Sequence, residues 1–353
     1  MQHDVAIMDS AELTLAAKVA FLGTPAAYSE PVNEVICRET HMSWVFLTED
    51  KVYKLKKPVC FPYLNFSTIG RRELACQAEL SLNRRLAPDV YLDVVPLVTT
   101  DRGLSIGGPG IVVDWLVVMR RLEERWALDR AIEENRVKPS QLERAVTMLS
   151  QFYRHARRPF VRSIVQEAEW RRNICGDCRL LLDRRFDLPT ALVRRIAHAQ
   201  QRFLDERAGL LAARVRGRRI VDGHGDLRPE HIWLSDGVKI IDCLEFNARL
   251  RMVDPIDELA YLSLECERLG AAWIGDYVLR GVSRALHDNP EPELFLFYRC
   301  HRAALRARLA VAHLLEPDPR TPEKWTPRAH DYLQIAGRDA QHLNRLLSTP
   351  RGS

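Results

Sequence analysis

The chain has 353 residues, 46% of them hydrophobic and 28% charged, with a formal net charge of +5. These proportions predict a globular protein of one or two domains with a large core, and they exclude a disordered or collagen-like chain. No apolar run approaches the ~20 residues needed to span a bilayer, and no charged segment followed by an apolar one opens the chain, so a cytoplasmic location without membrane contact is expected.

In chain order, an amphipathic segment around Leu13–Leu22 predicts a helix packed on the N-terminal part. Trp44–Leu47, the turn Thr48-Glu49-Asp50 and Lys51–Lys56 then read as a hairpin. Of 52 Lys and Arg only eight are Lys, and four of these are Lys51, Lys54, Lys56 and Lys57. A chain that otherwise writes Arg has placed compact ammonium groups in one short window, and Lys54 and Lys56 share one strand face. From Thr68 to Leu86 the residues Leu74, Ala78, Leu82 and Leu86 recur every fourth position, predicting a helix with an apolar stripe and with Glu73 and Glu79 as its acids. Residues 111–119 read as a buried strand.

Helical periodicity dominates from Glu123 onward. Pro139-Ser140 opens a helix to about Arg157, with Leu142, Val146, Leu149 and Phe152 on one face. Others are expected at 164–183, from Pro189 to about Val215, at 256–284, at 292–315 and at 328–347, the last preceded by a proline-spaced loop from Pro317 to Pro327. The eight Cys are scattered, and Cys175 and Cys178 alone lie close together, inside a helical pattern, which reads as incidental thiols rather than a metal or redox pair. The Arg216-Gly217-Arg218-Arg219 patch has no recognition helix or stacking motif beside it. It reads as a solvated face, and no nucleic-acid partner is expected. No G-x-x-x-x-G-K-[ST] sequence occurs, which excludes a P-loop NTPase.

The most informative stretch is His224-Gly225-Asp226-Leu227-Arg228-Pro229-Glu230-His231, followed by Ile232-Trp233-Leu234, the turn Ser235-Asp236-Gly237, Val238–Ile241 and Asp242. Asp-Gly between apolar runs signals a hairpin. That geometry brings Asp226 and Asp242 together across sixteen residues, and two carboxylates beside a cationic loop suit Mg²⁺ and a polyphosphate. The plainer alternative is that His224 and Asp226 brace a turn through side-chain-to-backbone hydrogen bonds.

This stretch resembles the catalytic loop of the protein-kinase-like superfamily, H-R-D-x-x-x-x-N. Its His-Gly-Asp-Leu opening is closer to the aminoglycoside phosphotransferase branch, which includes choline kinase-like enzymes. The segments Thr40–Trp44 and Lys54–Pro58 are further similar to a little-characterised bacterial group of that superfamily, in some members of which the kinase-like part is fused to a P-loop domain. The resemblance implies an α+β, bilobal fold: an N-terminal nucleotide-binding lobe of antiparallel sheet and helix at 1–119, and a larger, mostly helical catalytic and acceptor-binding lobe at 120–353. It implies Asp226 as the group that takes or orients the acceptor hydroxyl proton, Arg228 on the transferring phosphoryl group, and Asp242 on Mg²⁺. His231 stands where the family has a metal-binding Asn, to ligate a metal, to pair with Asp226, or to mark an inactive enzyme. Lys54, or alternatively Lys56, would reach the nucleotide phosphates and pair with Glu79. Ser43, in the loop Glu39–Ser43, would touch phosphate. Met119 to Leu122, including Arg121, would form the hinge against the adenine. Asp257 resembles the buried Asp that holds the catalytic loop by backbone hydrogen bonds.

The expectation is a Mg²⁺-dependent kinase moving the γ-phosphate of ATP or GTP to a hydroxyl of a small molecule. The alternative is a nucleotide-binding pseudokinase with a regulatory role. A protein substrate is disfavoured, because no D-F-G and no A-P-E segment follows Asp242. Aminoglycosides, being polycations, call for an acidic pocket, and no acidic cluster is assigned to the acceptor side.

Overall fold

The computed structural model describes residues 13–235, 237–316, 319 and 321–349; Asp236, in the expected hairpin turn, and part of the proline-spaced loop lie outside them. The chain divides into two compact units, Met1–Glu123 with Ile241–Asn247, and Glu124–Ile240 with Ala248–Ser353.

The first unit is built on an antiparallel sheet. Helix α1 (Leu15–Leu22), whose first turn is capped by Thr14 accepting from the Ala17 N–H, leads to strands β1 (Ile36–Glu39), β2 (Ser43–Leu47) and β3 (Lys51–Lys56). A small hairpin of β4 (Cys60–Phe61) and β5 (Leu64–Asn65) precedes helix α2 (Ile69–Asn83) and strands β6 (Tyr91–Thr100), β7 (Gly103–Ile106) and β8 (Ile111–Arg120). The large sheet runs β1-β2-β3-β8-β6-β7. The predicted hairpin is β2–β3, in a register that sets Val45 opposite Lys54 and Ser43 opposite Lys56.

Strand alternation divides the apolar residues between two faces. Phe46, Leu55, Leu97 and Leu116 pack with Leu22 of α1. Val117, Met119, Tyr91 and Val94 pack with Cys76 and Leu80 of α2. The expected stripe on α2 is not the buried one: Leu74 is 72% exposed. The helix instead buries Arg72, Ala75, Cys76, Glu79, Leu80 and Asn83. Half of that face is polar, so its 3.6-residue period is invisible to a hydropathy pattern, and the fourfold spacing of Leu and Ala drifts off it.

Asp114 of β8 explains Arg72. Its buried carboxylate accepts from Arg72 Nε at 2.7 Å and Nη2 at 3.0 Å and from Lys18 Nζ at 2.8 Å, tying α1 and α2 to one strand.

The second unit is mostly helical. Its helices are α3 (Leu128–Glu133), α4 (Pro139–His155), α5 (Ser163–Leu181), α6 (Thr190–Arg216), α7 (Pro255–Arg268), α8 (Ala272–Ala285), α9 (Pro292–Ala312) and α10 (Trp325–Ser348). The helical stretch expected at 256–284 consists of two helices, because Gly270 adopts φ +82° and ends α7. Two short antiparallel ladders complete the unit. Strand β9 (Val221–Asp222) pairs with β12 (Met252–Val253), and β10 (Ile232–Trp233) pairs with β11 (Lys239–Ile240) as the Asp-Gly signal predicts. Among the described residues no helix is long and apolar enough to cross a membrane, and all eight cysteines are free thiols.

Candidate active site

In the first unit, strand alternation points Lys54 and Lys56 to the same face, and Glu79 on the buried side of α2 lies between them. Glu79 accepts from Lys54 Nζ at 2.8 Å through Oε1 and from Lys56 Nζ at 2.6 Å through Oε2. Two further carboxylates, from the segment Ile241–Asn247, close the cluster. Lys54 reaches Asp242 Oδ1 at 2.9 Å, and Lys56 donates to Glu245.

Burial alone would push the Glu79 carboxyl up, but the Lys54 and Lys56 ammonium groups outweigh it and hold it below the ordinary range. For Lys54 burial pulls the other way, and the Asp242 and Glu79 charges overcome it to keep the ammonium firmly protonated. The Glu245 carboxyl is pushed up by burial and by Glu79, against Lys56.

The two lysines differ. Lys56 has a side chain 1% exposed, sealed between Glu79 and Glu245 with its ammonium 5.0 Å from the Phe66 ring centroid. Lys54 is 16% exposed and Asp242 45% exposed. Solvent, and hence a ligand, reaches the Lys54–Asp242 pair. Two ammonium groups face three carboxylates here, leaving one negative charge in excess when all are ionised. Asp242, a hard oxygen donor at the exposed edge of that cluster, fits a Mg²⁺ ligand. Its backbone sits at φ +62° and donates its N–H to the Tyr91 hydroxyl at 3.2 Å. A non-glycine residue held in the left-handed region is the kind of local strain that gathers at functional positions.

Ser43 begins β2 and is buried; the turn before it is held by Thr40 and by Lys57, whose ammonium reaches Glu39 and the Thr40 carbonyl. Met119, one residue before the end of β8, lies inside the core. Arg121 is committed on both ends, its N–H to the Asp50 carbonyl at 2.8 Å and its guanidinium to the Thr48 carbonyl at 2.6 Å.

In the second unit, the His224–His231 loop leaves β9 and is tied down by Glu258 of α7. The Glu258 carboxylate accepts the N–H groups of His224, at 3.2 Å, and of Gly225, and the hydroxyl of Tyr153 at 3.0 Å. Two glycines make this possible: a Cβ at Gly223 would lie 2.8 Å from Glu258 Oε2, and Gly225 adopts φ +89°. The expectation that Asp257 holds this loop is corrected. Asp257 makes a bidentate pair with Arg302 at 2.8 and 2.6 Å, and its neighbour, about 100° further round the first turn of α7, faces the loop.

Asp226 accepts from Arg228 Nε at 3.0 Å and from the Tyr261 hydroxyl at 3.2 Å. Burial would raise its carboxyl, but the Arg228 guanidinium beside it, helped by Arg306, outweighs it, and the net shift is downward. Arg228 also reaches Glu230 at 2.5 Å. His231 Nδ1 lies 2.8 Å from the Asp226 carbonyl and Nε2 lies 3.3 Å from Arg228 Nη2. A guanidinium can only donate, so Nε2 carries the lone pair and Nδ1 the proton. That lone pair already receives a cation's N–H, so His231 fits a brace for Arg228 and the loop better than a Mg²⁺ ligand.

Tyr261, Arg306 and Glu258 escaped the sequence reading. Glu258 sits one position from the residue chosen, while Tyr261 and Arg306 come from helices whose spacing reports burial and not what the side chains touch.

No family model matches the chain. Two uncharacterized proteins, from Mycobacterium tuberculosis and Mycobacterium bovis, are each 32% identical to it over 332 residues, which is 92% of this chain and 63% of theirs. The chain thus spans under two thirds of the length of the curated relatives it matches. Among solved structures, a choline/ethanolamine kinase family protein from Mesorhizobium loti aligns over 95% of both chains with a TM-score of 0.51 at 16% identity. At that identity the likeness speaks for the fold alone: the chain shares the α+β architecture of that choline/ethanolamine kinase family protein, an antiparallel sheet with its helix in one unit and a mostly helical second unit.

Proposed function

We propose that this chain is a phosphotransferase that moves the terminal phosphoryl group of ATP or GTP to a hydroxyl of a small molecule. The observation that carries the reading is Lys54, shared between buried Glu79 and half-exposed Asp242. A lysine held protonated by one sealed and one open carboxylate can exchange the open partner for a phosphate. Lys54 then neutralises phosphate charge, Lys56 braces Glu79, and Asp242 holds Mg²⁺, which supplies charge neutralisation on the phosphates. Asp226, ionised and fixed by Tyr261, orients the acceptor hydroxyl. Arg228, parked on Asp226 in the free chain, is the cation available to the transferring group, and His231 returns it to place. Ser43 and Met119 flank the nucleotide, and Arg121, tied to Thr48 and Asp50, holds the chain leaving β8 in place beside it. The surroundings of Asp226 carry Arg228 and Arg306, which favours a neutral or anionic acceptor over a polycationic one.

Asp226→Asn is expected to lower turnover by about a hundredfold or more while leaving the thermal shift with Mg·ATP intact; unchanged turnover on a responsive acceptor removes Asp226 from this role. A second reading, a nucleotide-binding regulator without turnover, is favoured by the closed Asp226–Arg228–His231 arrangement. Metal-enhanced ATP binding with no ATP consumption across a panel of hydroxyl-bearing metabolites supports it, and turnover on any of them ends it.

A further inference from the structure

A polar cavity lies within the helical unit, where the C-terminal ends of α4, α6 and α8 meet. It has a volume of about 240 Å³ and is lined by Arg154, Arg158, Arg219, His287 and, on its floor, Tyr153 and Val221. We propose that it binds a small phosphorylated metabolite and that its occupancy steadies the His224–His231 loop.

The charge balance is the first argument. Asp288 is the acid on the wall, and Arg214 already holds it through two contacts of 2.5 Å. Arg154 donates to the Ala285 carbonyl at 2.9 Å, and Arg158 donates to the Arg218 carbonyl. Arg219 makes long contacts, at 3.4 and 3.5 Å, to the Leu286 and His287 carbonyls, and its guanidinium lies 3.7 Å from Asp288 Oδ2. Each guanidinium has five N–H donors, so most stay available. Asp288 shares Arg214 with Asp254 and so keeps up to one negative charge, and the three helix ends bring roughly half a negative charge apiece; three guanidinium groups still outweigh that sum. What remains is a cationic pocket with planar donors, the chemistry that recognises a phosphate monoester or pyrophosphate. Its volume suits a compact anion and is below that of a pocket for a drug-sized ligand.

The floor provides the link. Tyr153 lines the cavity and gives its hydroxyl to Glu258 Oε2 at 3.0 Å, the same carboxylate that accepts the His224 and Gly225 N–H groups. Val221 is the strand residue from which the loop departs. A ligand that pins Arg154, Arg158 and Arg219 therefore clamps three segments around the anchor of the loop.

The test uses the full chain with inorganic phosphate and pyrophosphate as probes, by calorimetry and by hydrogen exchange. Saturable binding at millimolar concentration is expected, weakened about tenfold or more in Arg154→Gln/Arg158→Gln and also weakened in Arg219→Gln, with melting curves confirming that the variants fold. Pyrophosphate should slow exchange at the His224 and Gly225 amides severalfold in the parent chain, and not in Tyr153→Phe, which keeps the binding. Absence of saturable binding, or equal affinity in the arginine variants, which would mean an adventitious ion only, overturns the site. Binding with unchanged exchange overturns the link to the loop.

Discussion

Two lysines on one strand face, both within reach of one glutamate, behave as different residues because of what lies on their far sides. Lys56 is enclosed, and removing its charge leaves buried Glu245 without its ion-pair partner and Glu79 with Lys54 alone, the situation in which breaking an ion pair costs about 3–5 kcal/mol. Lys54 faces a carboxylate that is 45% exposed and can turn to water, so its loss leaves Glu79 still paired with Lys56. Lys56→Met is thus expected to lower stability in chemical denaturation by about 3 kcal/mol or more. Lys54→Met is expected to cost less than Lys56→Met and to abolish the protection that Mg·ATP gives against melting. The reverse pattern, a fragile Lys54 variant that still binds nucleotide, would exchange the two roles. From composition, Lys54 and Lys56 were equivalent; strand alternation put them together, and only the long-range partners from 241–247 separate them.

At the scale of elements, local signals in the sequence translate well. The hairpins β2–β3 and β10–β11 follow from turn residues between apolar runs, and α4, α5 and α6 follow from their periodicity, because neighbouring residues determine both. Helix α2 shows where such signals stop. Its buried face joins Cys76 and Leu80 to Arg72, Glu79 and Asn83, whose partners Asp114, Lys54 and the Cys243 N–H are distant in sequence. Hydropathy scores those polar residues as exposed and shifts the apparent stripe onto Leu74. The same blindness hid Glu258 behind Asp257, since two adjacent acids in one helical turn look alike until the loop and Arg302 claim one each. Leu74→Ala is therefore expected to change the unfolding free energy by no more than about 0.5 kcal/mol, while Leu80→Ala costs about 2–4 kcal/mol. A large loss from Leu74→Ala in a urea titration would restore the stripe as the packed face.

For the molecule as a whole, the preference for Arg over Lys has a structural use. Arg214, Arg299 and Arg302 each grip a buried carboxylate with two donors, on Asp254, Asp339 and Asp257, and so stitch the helices of the second unit together. Burial raises the proton affinity of Asp254 and Asp339, and of other enclosed acids, which makes stability depend on pH in a definite direction. Asp177 of α5 is the clearest case: it is 5% exposed, its partner Arg308 on α9 reaches only one oxygen, at 2.6 Å, and burial outweighs that arginine to push the carboxyl up to about 6. In the unfolded chain the same group ionises near 3.8. Below that value the carboxyl is neutral in both states and costs nothing. Between about 4 and 6 the unfolded chain ionises first, so the folded state loses up to about 3 kcal/mol as pH rises, and above 6 the loss is constant. Asp177→Asn lacks this slope. The melting temperature of the variant should therefore gain on the parent chain from pH 4 to pH 7 and run parallel to it beyond, whatever the absolute offset from the altered contact with Arg308. A difference between the two curves that does not change with pH would mean that Asp177 keeps an ordinary acidity and that the Arg308 pair fully offsets its burial.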